Sequence, residues 1–200
     1  MERRRRSDGE RSRAAILREA ARLATVEGLD GLSLTRLAGA VGMSKSGLFA
    51  HFGSKEELQL ATIDAARAVY DELVIEPARA APPGVARLRA YVERFLDHVE
   101  AGVFPGGCFF VSAVSELATH PGPVRDSAMA FSQYWLGLLA EEAAAAGVDP
   151  DADPAQIAFE LNAFMVAGNI LFIAGGQTAA LDSVRRAVET RIQGLINRGV

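Results

Sequence analysis

The sequence predicts an all-α protein, with an N-terminal three-helix head joined to a C-terminal helical-bundle body, about nine helices in all. Two observations predict this fold class. Apolar residues recur at the three- and four-residue spacing of a helix through nearly the whole chain, and the strict alternation of a strand is not found. Half of the 200 residues are hydrophobic, which is enough to build a sizeable core.

The first part of the chain predicts four helices, of which the fourth enters the body. Gly28 follows the first as a C-terminal stop, and Pro77 limits the fourth. Ser54 and Glu57 match a capping box, in which Ser54 accepts a hydrogen bond from the amide of Glu57 and Glu57 reaches back. The predicted ranges are about 11–27, 34–41, 45–51 and 54–76.

Glycine and proline clusters divide the rest of the chain into five further helices. Pro82 and Pro83 precede the first of them, and Gly175 and Gly176 precede the last. Pro154 suits the first position of the helix that it opens. The predicted ranges are about 85–101, 108–119, 124–146, 154–174 and 179–197.

Two segments resemble targeting or membrane segments, and the sequence favours neither interpretation. The basic run 3–6 is followed by small and polar residues, so no export signal is expected. The apolar stretch 163–174 contains Gly168 and Asn169 and is short for a membrane span, so a buried helix is expected and no membrane partner. Cys108 is the only cysteine, which excludes a disulfide within the chain and favours the cytoplasm.

The net charge of −4 conceals an asymmetry along the chain. Residues 1–55 hold 11 basic and 6 acidic side chains, whereas residues 56–200 hold 10 basic and 19 acidic ones. A basic head on an acidic body indicates that the head faces a polyanion. A solvated charged tail is the alternative, because Arg3–Arg6 are consecutive.

Residues 32–51 match the requirements of a helix-turn-helix, in which two short helices cross steeply through a tight turn. Ala38 is the small residue that the crossing needs, and Gly42 suits a turn position with positive φ. Ser33 and Ser44 are good N-caps, one for each helix. The apolar residues expected to anchor both helices are Leu34, Leu37, Val41, Met43 and Leu48.

The second of these helices carries short, flexible residues on its first turn. Lys45, Ser46 and Gly47 suit close approach to base edges in a major groove. Lys55 begins the next helix, where free amides also attract phosphate. Two ordinary helices with a glycine turn are the alternative, but the joint pattern favours a helix-turn-helix.

Residues Arg11 to Ala61 resemble the DNA-binding domain of the TetR family of bacterial regulators, most closely over residues 42–58. The resemblance implies that Lys45, Ser46 and Gly47 face bases and that Ser33 and Thr35 lie near the DNA backbone. His51 and Lys55 would contact phosphates. Phe49 stands where the family usually has Tyr, and Gly47 where it often has Thr or Ser. The predicted DNA-binding residues are Ser33, Thr35, Arg36, Ser44, Lys45, Ser46, Gly47, Phe49, His51 and Lys55.

The resemblance implies a sequence-specific transcriptional regulator, a repressor that a small, mostly apolar effector releases from its operator. No enzymatic activity and no cofactor are expected. The predicted domains are a basic disordered arm (1–10), a helix-turn-helix DNA-binding domain (11–58) and a ligand-binding and dimerisation domain (59–200). The arm could reach an adjacent minor groove or be an unstructured tail. A body that recognises a protein partner is one alternative; a helical small-molecule carrier or enzyme is another.

A homodimer is expected, because one helix-turn-helix covers only a half-site and a dimer places two of them roughly 34–36 Å apart. The operator would then be near-palindromic. The last two predicted helices are the best candidates for the interface, although part of each apolar face must be core. These faces consist of Ile157, Leu161, Phe164, Met165, Gly168, Leu171 and Phe172 in one helix and of Val184, Val188, Ile192, Leu195 and Ile196 in the other.

The family also implies an effector pocket in the body, and aromatic residues are concentrated there. Asn162 and Asn169 are seven residues apart on an apolar helix and therefore share a face, from which they could orient a ligand or meet at the dimer interface. Core packing is the alternative for every candidate. The candidates are Phe104, Phe110, Met129, Phe131, Trp135, Asn162, Met165 and Asn169.

Other patterns do not predict a catalytic or metal site. Asp149, Asp151 and Asp153 resemble a calcium loop, but Pro154 occupies the position that needs glycine, and acidic residues also suit a helix N-terminus. The three histidines lie on separate elements without metal-ligand spacing. Cys108 is interpreted as a small buried apolar residue, with a redox sensor as the alternative.

Overall fold

The computed structural model describes residues 2–147 and 152–196, without the side chains of residues 2–8 and of residue 195. Within these residues the secondary structure is entirely helical, which confirms the predicted all-α class. The helices are α1 (Glu2–Glu27), α2 (Leu34–Ala40), α3 (Lys45–Phe49), α4 (Lys55–Tyr70), α5 (Glu76–Arg79), α6 (Val85–Glu100), α7 (Phe109–Leu117), α8 (Pro123–Ala146), α9 (Pro154–Gly175) and α10 (Ala179–Ile196).

Helices α4 and α5 are joined by a π-helical segment, Asp71–Ile75, so that the helix runs on through Pro77. The sequence predicts an end at about residue 76, because a proline ring clashes with the carbonyl four residues earlier in a regular α-helix. The wider π-helical turn just before Pro77 relieves that clash. With α4 to α5 counted as one helix, the described residues form nine helices, as predicted.

Helix α1 begins at Glu2, whereas the sequence predicts a helix from about residue 11. Arginine and glutamate are good helix formers, and proline does not occur before residue 77, so the helix continues toward the N-terminus. The backbone of the predicted disordered arm is therefore helical from Glu2 onward. The side chains of Arg3–Arg6 lie outside the described residues, and their role stays a prediction.

The chain divides into two compact units, and the first comprises residues 1–69 and 104–129. Segment 104–129 is thus packed with the head, although it is distant in sequence. Within this unit α7, which belongs to that segment, contacts α1. The buried residues that form the helix-turn-helix core are Ile16, Ala20, Leu32, Leu37, Ala38, Leu48, Phe52 and Leu58.

The second unit comprises residues 70–103 and 130–200. In it α9 packs closely on α10, and Gly168 permits this approach because a Cβ atom there would lie 2.2 Å from Cγ2 of Val184. Glu142, which is 8% exposed, accepts hydrogen bonds from the amide of Gly84 at 2.7 Å and from Arg87 at 3.0 Å. This carboxylate ties the start of α6 to α8.

Helix α9 has the length and composition of a membrane-crossing helix, as core helices of soluble proteins also can, and it is the one such helix in the described residues. The sequence predicts a buried helix here, but 33% of its most apolar stretch is buried. Its side chains divide into a buried set and an exposed set. Ile157, Leu161, Met165 and Gly168 face the core, while Phe159, Ile170, Leu171 and Ile173 are exposed.

Candidate nucleic-acid interface

Helices α2 and α3 both begin at serine N-caps, as predicted. The hydroxyl of Ser33 accepts a hydrogen bond from the amide of Arg36 at 3.4 Å, and that of Ser44 accepts one from the amide of Gly47 at 3.1 Å. Each cap satisfies an amide that the first turn of a helix leaves without a partner. The caps therefore determine where the two helices start.

The connection between α2 and α3 is a tight turn at Gly42, whose φ is +67°. The amide of Met43 donates to the carbonyl of Ala38 at 2.8 Å, which closes the turn. Ala38 is buried at the helix crossing, where a larger side chain would hold the helices apart. The predicted roles of the small residue and of the turn glycine are confirmed.

The face of both helices that points inward is apolar. Leu37 and Leu48 are fully buried, and Leu34, Val41 and Met43 pack against the same core. All five predicted anchors thus contribute to this core.

Arg13 of α1 secures the end of α3. Its guanidinium lies 4.4 Å from the ring centroid of Phe52, and it donates to the carbonyl of His51 at 2.6 Å. Because Arg13 contacts both the ring and the backbone, it fixes the short helix against α1. Arg13 belongs to no local sequence motif, so its role could not be predicted from the sequence.

The predicted DNA-binding residues lie on the surface of the first unit. Gly47 and His51 are partly buried, and the rest are exposed. Lys45 makes no ion pair within the described residues, whereas Arg36 pairs with Glu27 at 2.8 Å. The exposed members are Ser33, Thr35, Arg36, Ser44, Lys45, Ser46, Phe49 and Lys55.

Helix α4 begins with a variant of the predicted capping box. Ser54 accepts from the amide of Glu57 at 3.0 Å, as predicted. The carboxylate of Glu57 reaches one residue further back and accepts from the amide of Gly53 at 2.9 Å.

Lys55 has partners that the sequence did not predict. Its Nζ donates to the carbonyl of Asp30 at 2.5 Å and to Oδ1 of Asp30 at 3.2 Å. The hydrogen bond from Lys55 lowers the pKa of the Asp30 carboxyl, so this carboxylate remains charged at neutral pH. The N-terminus of α4 is thereby attached to the turn between α1 and α2, residues 28–31.

That turn is also held from α7. Glu116 accepts hydrogen bonds from the amides of Leu29 at 2.6 Å and Asp30 at 2.8 Å. Glu116 lies 87 residues from Leu29 and belongs to no local motif, so the sequence did not predict its contact with the turn.

The effector-pocket candidates fall into both compact units. Phe104, Phe110 and Met129 belong to the first, where Phe109 stacks edge-on with Phe110 at 5.3 Å between ring centroids. The five in the second unit differ in burial: Asn162 is partly buried, and the others are buried, with Asn169 2% exposed. Those five are Phe131, Trp135, Asn162, Met165 and Asn169. Their contact with a ligand stays a prediction.

The structure adds aromatic residues to the second-unit candidates. Tyr70 packs edge-on against Phe131 and Trp135, with 5.3 Å between ring centroids in both pairs, and against His98 with 5.7 Å between ring centroids. Tyr91 contacts Trp135 at 5.5 Å. These five residues, termed the aromatic cluster, come from segments that are distant in sequence. Burial lowers the pKa of His98 to about 4, so its ring is neutral at pH 7.

The described residues contain no group of three or more histidine, cysteine or acidic side chains that could hold a metal ion. Asp149 and Asp151 of the calcium-like pattern lie outside the described residues. Asp153 caps α9 by accepting from the amide of Ala155 at 2.9 Å. Cys108 is buried, and burial raises the pKa of its thiol to about 11, which disfavours the reactive thiolate of a redox sensor.

Two capped helices, a tight glycine turn and an exposed polar first turn of α3 define a helix-turn-helix DNA-binding protein. Two family models match the chain: "Bacterial regulatory proteins, tetR family" over residues 16–62, and "Tetracyclin repressor-like, C-terminal domain" over residues 84–188. The second alone covers more than half of the chain. The chain belongs to the TetR family of transcriptional regulators, whose members are generally non-enzymatic, soluble DNA-binding proteins.

Solved structures of this family share the fold. A TetR regulator from Chloroflexus aurantiacus superposes with a TM-score of 0.85 at 24% identity, covering 94% of this chain and 96% of its own. A TetR-family regulator from Streptomyces coelicolor superposes with a TM-score of 0.79 at 24% identity, covering 92% of this chain and 96% of its own. AibR, in complex with isovaleryl coenzyme A and operator DNA, superposes with a TM-score of 0.69 at 24% identity, covering 92% of this chain and 98% of its own. No curated protein matches.

Proposed function

We propose that this regulator is a cytoplasmic homodimeric repressor, which binds a near-palindromic operator and leaves it when a small, mostly apolar effector binds. One observation carries the DNA-binding part. The first turn of α3 exposes Lys45 and Ser46, while Leu48 on the opposite side is fully buried in the core. A helix held rigidly by one face and polar on the other is suited to the major groove.

The contacts within this interface follow from the exposed groups. Lys45 and Ser46 supply donors for base edges, and Gly47 lets the backbone approach them. Phe49 is 43% exposed and supplies an apolar contact, such as one to a thymine methyl group. Ser33, Thr35 and Arg36 at the start of α2, together with Ser44, His51 and Lys55, supply contacts to the DNA backbone.

The dimer contact is proposed for α9 and α10. The outer face of α9 exposes Phe159 and Leu171, each at 61%, beside Ile170 and Ile173. Exposed apolar side chains in this number on one helix are typical of an interface. Val184, Val188 and Ile192 of α10 are buried within the chain, so among the described side chains of the predicted α10 face only the partly buried Ile196 is left for the contact.

The effector is proposed to bind in the second unit beside the aromatic cluster. Buried rings provide an apolar lining, and Asn169, in the same unit, has a buried amide that could orient a ligand. AibR is a precedent for small-molecule binding by a protein of this fold, since its structure contains isovaleryl coenzyme A. We assign no enzymatic role to the chain.

Operator binding is tested by fluorescence anisotropy with duplexes from the intergenic region beside the coding sequence. Lys45→Ala is expected to weaken binding by about tenfold or more, because it removes a contact to bases or phosphate. Arg94→Ala is the matched control, because it removes a positive charge from an exposed pair on α6 in the second unit. Equal losses in both variants, or no binding by the unaltered chain, would contradict the proposal.

The effector part is tested by repeating the measurement with the small-molecule fractions and, separately, the protein fractions of a cell extract. Release from the operator by a small-molecule fraction supports the proposal. Release by a protein fraction alone would favour the alternative, a regulator whose body binds a protein partner.

A further inference from the structure

The turn between α1 and α2, residues 28–31, is held by a carboxylate from a remote element. Glu116 of α7 accepts the amides of two consecutive residues, Leu29 and Asp30, at 2.6 and 2.8 Å. Hydrogen bonds to a charged acceptor are stronger than those between neutral groups. The turn ends two residues before Ser33, the N-cap of α2, so its position sets where the helix-turn-helix begins.

The backbone around the turn is shaped to admit this carboxylate. Gly28 has a φ of +84°, and a Cβ atom there would lie 2.6 Å from Oε1 of Glu116. A second contact follows the same pattern: the amide of Gly106 donates to Oγ1 of Thr25 at 3.1 Å, and a Cβ at residue 106 would lie 1.9 Å from the carbonyl oxygen of Thr25. Segment 104–117 therefore meets the end of α1 twice, each time at a glycine.

The opposite side of the turn is held by α4. Nε2 of Gln59 donates to the carbonyl of Leu29 at 3.0 Å, and Nζ of Lys55 donates to the carbonyl of Asp30 at 2.5 Å. Leu29 and Asp30, the two middle residues of the turn, are thus bonded through their amides to α7 and through their carbonyls to α4. A shift of Glu116 would move the acceptor that Lys55 uses.

We propose that Glu116 is a positioning residue for operator binding, which acts through Asp30 on Lys55. An ammonium group has three donors, and Asp30 accepts two of them with its carbonyl and its carboxylate. The third is left for a phosphate oxygen, in a direction that the turn determines. Glu116 holds the turn and thereby orders the long, flexible lysine side chain before DNA arrives. This inference rests on the proposed function.

The test compares two variants with the same charge change in the first unit. Glu116→Gln loses one of the two acceptors, and Glu19→Gln loses only a surface pair with Arg22 at 3.1 Å. General electrostatics predicts tighter DNA binding for both, because each variant has one negative charge fewer. Positioning predicts the opposite sign for Glu116→Gln, a loss of operator affinity on the order of tenfold. Anisotropy with the intergenic duplex measures both.

A second measurement separates positioning from a general structural role. In a Lys55→Met background, Glu116→Gln should change operator affinity by less than about twofold, because the group on which it acts is gone. Equal losses with and without Lys55 would overturn the proposal. If Glu116→Gln does not fold, Glu116→Asp keeps the charge but reaches less far, and the same comparison with Lys55→Met applies to it.

The two proposals fail in different ways. An unaltered chain that binds no duplex contradicts the proposed function and this inference with it. An unaltered chain that binds, while Glu116→Gln binds as tightly or more tightly, contradicts the positioning role alone.

Discussion

The helix-turn-helix core and the aromatic cluster are both buried, but they are assembled differently. The core is mainly aliphatic, and all its members lie between Ile16 and Leu58. The aromatic cluster joins Tyr70 and His98 to Phe131 and Trp135, from segments separated by up to 65 residues along the chain. The helix-turn-helix core thus depends on the packing of mainly aliphatic side chains that are close in sequence, whereas the cluster depends on large rings and one neutral imidazole.

The largest expected effect on stability comes from a cavity in the helix-turn-helix core. Leu37→Ala is expected to lower the free energy of unfolding by about 3 kcal/mol, because a fully buried leucine leaves a cavity. Chemical denaturation followed by circular dichroism measures this change. Val26→Ala is the control, because Val26 is 64% exposed and should cost less than about 0.5 kcal/mol. Similar losses in both variants would mean that Leu37 is not an anchor.

The aromatic cluster should be destabilised when His98 becomes protonated. The pKa of His98 is about 4 in the folded chain, against about 6.5 for an unperturbed histidine, so the unfolded chain binds more protons between these pH values. Stability contributed by neutral His98 is complete above about pH 6.5 and decreases by about 3 kcal/mol as pH falls toward 4.

Unfolding measured from pH 7 to 4 tests this expectation against His98→Gln, which cannot titrate. The variant should show a shallower loss of stability over that range. Parallel pH profiles of the two proteins would show that His98 does not contribute.

A glycine substitution tests the contact that holds the α1–α2 turn. Gly28→Ala is expected to cost about 2 kcal/mol, because it combines a positive φ with a Cβ placed 2.6 Å from Glu116. Gly42→Ala is the control in the same unit, with a φ of +67° and open space, and should cost about 1 kcal/mol. Thermal unfolding measures both; equal costs would show that the contact with Glu116 adds nothing.

The smallest expected effect is a gain in stability from a glycine substitution inside a helix. Gly39→Ala should stabilise the chain by about 0.5 to 1 kcal/mol, because residue 39 is inside α2 and a Cβ there meets open space. Gly168→Ala, inside α9, should destabilise the chain, because its Cβ would lie 2.2 Å from Val184. If Gly168→Ala also stabilises the chain, α9 and α10 are not in close contact at Gly168; a destabilised Gly39→Ala would contradict the open space at residue 39.

The parts of the interface that were predicted share a physical basis. The caps at Ser33 and Ser44 and the turn at Gly42 depend on backbone conformation within a few residues, which residue type largely decides. Helix boundaries were less predictable where a distant or unusual feature intervened. The π-helical segment carries a helix through Pro77, and α1 begins at Glu2, before the predicted start.

The sequence by itself determined the helical class, the helix-turn-helix and the family, because helical periodicity, capping and turn geometry act over short distances. Only the tertiary structure decided that Glu116 meets Leu29 and Asp30, that Lys55 is bonded to Asp30, and which side chains of α9 remain exposed. The physical reason is that such contacts join residues far apart in the chain. Their formation depends on how whole helices pack, and no local preference encodes it.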